Sequence, residues 1–93
     1  MGALSGQTVV TTAGTAVALG AGKPQCPVMV KGLTTNTGLV AVGNDGAGDV
    51  TMANGYPLAS GDQVIFEHVD NLASIMVDSA VNGEGVAWLI LHE

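Results

Sequence analysis

Short β-branched and aliphatic runs, each closed by glycine, asparagine or proline, decide what this chain can fold into. The runs occupy residues 7–12, 16–19, 28–33, 39–42, 56–58, 63–67, 74–77 and 85–92. The first, Gln7-Thr8-Val9-Val10-Thr11-Thr12, is β-branched at five of its six positions, which favours a pleated strand over a helix. Asn54-Gly55 and Asn82-Gly83 are dipeptides suited to tight turns that need positive φ. Pro57 marks its run as an edge or a connector, and Pro27 suits a strand start. No window has the apolar spacing of an amphipathic helix, and residues 70–75 offer one turn at most. Strands recurring about every 8–12 residues predict an all-β sandwich or barrel. Seven or eight strands in 93 residues leave no room for parallel crossovers. The expected fold is one small antiparallel β-sandwich or jelly-roll-like barrel over residues 7–93. Residues 1–6 are expected to form a flexible N-terminal arm.

Length and charge narrow the function. Size scaling allows burial of about 63% of the unfolded chain's surface, enough for one core. Only 11% of residues are charged, against about 25% in ordinary domains. The net charge is −6, with Lys23 and Lys31 the only basic side chains besides two histidines. Two lysines make no phosphate track, so nucleic acid is not an expected partner. The chain is too rich in Val, Leu, Ile and Ala to be disordered. Its longest apolar run, residues 86–91, is far short of a membrane span of about 20 residues, and no membrane partner is expected. The first residues lack the basic start and apolar stretch of a secretory signal, so synthesis in a cytoplasm is expected. Cys26 has no second cysteine in the chain, so it reads as a small apolar side chain or as an intersubunit contact, including an intermolecular bridge.

A surface with so few charges suits burial against partner subunits. The last run sharpens this. Val86, Trp88 and Ile90 point to one side, while Ala87, Leu89 and Leu91 point to the other. Both faces are apolar, so the strand is either central and covered on both sides or has one face in a subunit contact.

Signatures of chemistry are absent. Cys26, His68 and His92 have no metal-ligand spacing. The loop at residues 43–49 lacks the acidic alternation of a calcium site and reads as a surface turn. Neither a Gly-x-Ser-x-Gly elbow nor a phosphate-binding glycine loop occurs. Asp62 and Glu67 are a carboxylate pair of the kind that can flank a sugar, but nothing supplies the rest of a catalytic site. No enzyme activity, metal or cofactor is expected.

Several segments carry a resemblance. They are Val10-Thr11-Thr12-Ala13-Gly14-Thr15-Ala16-Val17, Asn36-Thr37-Gly38-Leu39-Val40-Ala41-Val42-Gly43 and Asn54-Gly55-Tyr56-Pro57-Leu58-Ala59-Ser60-Gly61-Asp62. Asp70-Asn71-Leu72-Ala73-Ser74-Ile75-Met76-Val77 and Asn82-Gly83-Glu84-Gly85-Val86-Ala87-Trp88-Leu89 follow. In that order, over residues 8–91, they resemble small β-sandwich structural proteins of tailed bacteriophages, including capsid decoration (cement) proteins. The resemblance implies a virion protein on the outer head surface, without enzyme activity or cofactor. It implies homotrimers, or clusters over capsid junctions, that bind the major capsid protein with an arm and bridge adjacent subunits. Candidate interface residues are Ala3 and Leu4 in the arm, Thr11, Thr12 and Thr15, Cys26, and Trp88 and Ile90 on the last strand. Similar sandwiches occur in tails, baseplates and head fibres, which is the alternative placement. An alternative of another class is a receptor- or glycan-binding module, which requires Tyr56 or Trp88 to face solvent beside carboxylates.

Overall fold

All eight runs become strands in the computed structural model, which describes residues 4–23, 26–44 and 50–90, with only the backbone of Leu4, Cys26 and His68. In chain order they are β1 (Leu4–Val10), β2 (Val17–Ala18), β3 (Cys26–Gly32) and β4 (Val40–Gly43), then β5 (Tyr56–Leu58), β6 (Gln63–Val69), β7 (Met76–Ser79) and β8 (Glu84–Ile90). A single 3₁₀ turn, Leu72–Ser74, follows Asn71, whose side chain accepts from the Ala73 amide. No helix among the described residues is long and apolar enough to cross a membrane.

The strands form two four-stranded antiparallel sheets. The first runs β1-β8-β3-β6 and the second β2-β7-β4-β5. They stack as an open sandwich, not a closed barrel. β1 begins at Leu4, with Leu4, Ser5 and Gly6 opposite Ile90, Leu89 and Trp88. The arm expected over residues 1–6 therefore loses its second half to the sheet, because strand pairing satisfies that backbone. Met1, Gly2 and Ala3 lie outside the described residues.

The core is built mainly from valine. Val10, Val28, Val30, Val86 and Ile90 from the first sheet meet Val40, Val42, Leu58 and Val77 from the second, with Leu19, Val69, Leu72 and Ile75 closing the ends. Period-two alternation puts Val28, Val30, Val40, Val42, Val86 and Ile90 on the inward faces of their strands, and Val69 comes inward after the register shift between β3 and β6. A fully buried aliphatic side chain of this size contributes about 1.5–3 kcal/mol, so these positions set the stability of a domain this small. Thr8 donates its hydroxyl to the Leu19 carbonyl, joining β1 to the segment after β2.

Two turns differ in how they use glycine. Gly83 has φ +82° in the turn that carries the chain from β7 in the second sheet to β8 in the first, the backbone that its Asn-Gly sequence tolerates. Gly55 is not among the positive-φ glycines. There the need is space: a Cβ would lie 2.6 Å from Ala41 Cβ and 2.6 Å from Val50 Cγ2.

That contact belongs to a wider arrangement on the second sheet. Ala41 pairs with Pro57 and Asp78 across the strands, on the face opposite Val40 and Val42. Ala41 and Asp78 are nonetheless buried, at 0% and 2% exposure. The turn around Gly55 lies on Ala41. The turn at residues 12–15 lies on Asp78, whose carboxylate accepts from the Gly14 amide at 2.9 Å and from the Ser79 amide at 2.8 Å. Asn82 Oδ1 accepts from Ala13 N at 2.7 Å and pins the same turn.

Candidate functional site

The outward face of the first sheet is the region that the fold leaves open. Cross-strand pairing places Ser5, Leu89, Met29 and Ile65 in one row across all four strands. The next row is Gln7, Ala87, Lys31 and Gln63. Ile65 is 50% exposed, and Met29, Ala87 and Leu89 are half-buried. A groove of about 320 Å³ lies on this face, lined among others by Gln7, Met29, Lys31, Ala87 and Leu89. Val9, 43% exposed, extends the apolar surface along β1. Lys31 and Glu67 carry the only charges among the described residues of these four strands' outward positions, one of each sign. No other described element lies over the face.

The predicted contact residues distribute differently. Ile90 is 8% exposed within the core, and Trp88 packs against that core from the inward side. Ile90 is therefore closed to a partner, while Trp88 is half-buried, as Ala87 and Leu89 are on the outward side of β8. The Trp88 ring lies over Gly6, where a Cβ would come within 2.6 Å of it, so this glycine opposite an aromatic makes the space for the ring. Thr11, Thr12 and Thr15 are exposed in the turn pinned by Asp78 and Asn82, at one end of the sandwich. Cys26 opens β3 opposite Val69 at an irregular register; its side chain, like that of Leu4, is outside the described set, and Ala3 is outside it altogether.

The same threonine-bearing end holds a polar clamp. Glu84 at the start of β8 accepts from the Thr37 amide at 2.7 Å, the Thr37 hydroxyl at 2.9 Å and the Gly38 amide at 3.0 Å. These donors, the Thr37 amide first, hold its carboxyl below the ordinary glutamate value. Buried Asn36 pairs with Gly85 as a strand would, donating to Gly85 O at 2.8 Å and accepting from Gly85 N at 3.3 Å. Both groups are committed to holding the 33–38 loop.

The residues weighed for chemistry do not converge. Asp62 accepts from the Ala59 amide at 3.1 Å and shapes the β5–β6 turn. Glu67 lies five residues further, roughly 16 Å along the strand, well beyond a carboxylate pair that flanks one sugar bond. Among the described residues no three His, Cys, Asp or Glu side chains gather as a metal site. The loop weighed for calcium falls, over residues 45–49, outside the described residues. Tyr56 is 59% exposed on β5, the edge of the second sheet.

Sequence reasoning missed Met29, Lys31, Ile65 and Glu67 as a face. The signal was there in the alternation of Val28-Met29-Val30-Lys31 and Gln63-Val64-Ile65-Phe66-Glu67, but only the pairing of β3 with β6 and β8 makes one surface of it. No known protein family, curated protein or solved structure matches the chain.

Proposed function

We propose that the chain is a structural protein that works by being held against neighbouring subunits, as a decoration protein on the outer head shell of a tailed bacteriophage. The observation that supports this reading is the open apolar sheet face on a chain with so little charge. A face with Met29, Ile65 and Leu89 in one row leaves aliphatic surface in water unless something covers it. In this reading copies of the chain associate through that face. The exposed turn at residues 11–15 and the residues before β1 contact the major capsid protein and bridge adjacent subunits. Binding only the assembled shell then stabilises it by mass action.

Electron microscopy of particles carrying the protein tests the placement. Many copies over the head shell are expected; a few copies at the tail tip or baseplate would replace this reading with the tail one. Removal of Gly2 and Ala3 leaves β1 whole, and is expected to weaken binding to undecorated shells without changing the unfolding transition. Full occupancy after removal would take those residues out of the contact.

A glycan- or receptor-binding module is the second reading, and exposed Tyr56 is the observation that favours it. Binding on a glycan array that Tyr56→Ala abolishes would establish it in place of the first.

A further inference from the structure

We infer that the outward face of the first sheet is where two copies of this chain meet, face to face, about a two-fold axis that runs across the strands along the Leu89–Met29–Ile65 row. The inference rests on the proposed function only for the idea that this face is a subunit contact.

Three observations select a second copy as the occupant. First, the face is complementary to itself. On β6 the outward positions are Gln63, Ile65 and Glu67, and on β3 they are Pro27, Met29 and Lys31, with Lys31 opposite Gln63. Lys31 and Glu67 thus sit on opposite sides of the central row. Rotation about an axis along that row brings Lys31 of one copy over the end of the other that carries Glu67. The two sheets would pack at about 10 Å with neighbouring strands about 4.8 Å apart, within reach of a lysine stem. Both lone charges are then matched twice, and the apolar row meets itself, as an isologous contact requires. Second, the area is sufficient. Four strands about 4.8 Å apart and about seven residues long project to roughly 440 Å². Accessible area exceeds projection on a pleated surface, so two faces bury on the order of 1,000 Å², the lower edge of specific interfaces. Third, the corresponding face of the second sheet is already occupied by the chain's own turns at Ala41 and Asp78. Among the described residues, the row of Leu89, Met29 and Ile65 is therefore the apolar row that the chain's own turns leave uncovered.

An interface of this size gives a reversible pair. Sedimentation equilibrium of the full chain over a concentration series is expected to fit a shift from 9.2 kDa to twice that mass. Ile65→Lys puts like charges at the centre of the contact on an already exposed side chain. It is expected to weaken pairing by about tenfold or more with an unchanged circular dichroism spectrum. Lys31→Glu and Glu67→Lys are each expected to weaken pairing several-fold, and the double variant to restore it. A mass of 9.2 kDa at every concentration, growth to trimers or beyond, pairing indifferent to Ile65→Lys, or a double variant weaker than either single one would overturn the inference. The trimer outcome would favour the arrangement implied by the decoration-protein resemblance. A chain that pairs but is absent from any head shell would end the proposed placement and leave the pair intact.

Discussion

On the second sheet, Ala41 and Asp78 point away from the core and are buried all the same, because turns of the chain fold over them. On the first, Met29, Ile65 and Leu89 also point away from the core, and no described element folds over them. Two sheets of equal strand number thus close their outer surfaces by different means. The second uses polar side chains that catch backbone amides under a turn. In the first, described residues leave the outward side chains uncovered.

The largest effect is expected where the first sheet has least room. A Cβ at Gly85 would run into the Thr8 carbonyl oxygen and lie 2.8 Å from Val9 Cα. Backbone cannot swing aside as a side chain can, so β1 must separate from β8. Gly85→Ala is expected to destabilise the fold by about 4 kcal/mol or more, read by urea unfolding. A loss under about 1 kcal/mol would mean that β1 and β8 are not held as closely as described.

The second sheet is tested at Asp78. Removing its carboxylate strands the Gly14 and Ser79 amides beneath the 12–15 turn. Hydrogen bonds to a charged group contribute about 1.5–3 kcal/mol each, and the freed turn regains some entropy. Asp78→Ala is expected to cost about 3 kcal/mol and to speed hydrogen exchange at Gly14. Unchanged exchange at Gly14 would show that the turn covers this face without Asp78.

Glu84 gives a smaller, pH-dependent effect. Its carboxyl is held below the ordinary value by the Thr37 and Gly38 amides. A lowered folded-state pKa contributes stability that is present at neutral pH and is lost as pH falls through the ordinary glutamate range to the folded value. Glu84→Gln is therefore expected to lower the unfolding temperature at neutral pH, with the gap to wild type closing in acid. A gap that widens in acid would reverse the sign of this linkage.

How much of this was legible follows from the range of each signal. Strand identity is local: β-branched runs and the turns between them placed all eight strands, Tyr56–Leu58 to the residue. Residues 86–91 read as apolar on both faces; their strand, β8, is interior to its sheet, yet described residues cover only its inward face. Assigning its inner face needs the partner strands: Ile90 lies within the core, and half-buried Trp88 packs against it. Asp78 carried no usable signal, because its partner Gly14 is 64 residues away. Asn36 closes a backbone pair with Gly85 49 residues later, a partner that no local pattern announces. Gly55 was read for its φ, whereas what it supplies is room against Ala41.

The smallest effect carries the sharpest contrast. Ile65 is 50% exposed at the middle of the open face. If that face is a contact and not part of the monomer's core, trimming its side chain leaves the isolated fold almost unchanged. Ile65→Thr keeps the β-branched backbone preference and removes only apolar surface that already meets water. Measured at dilution, below pairing, its unfolding free energy is expected within about 0.5 kcal/mol of wild type. Measured at concentrations where copies associate, the wild type should gain stability from pairing and the variant should gain less, since the lost methyl surface is felt only in the pair. A loss of about 2 kcal/mol at dilution, the scale of a buried aliphatic side chain, would place Ile65 in the monomer's own packing. The two sheets would then close their outer surfaces in the same way.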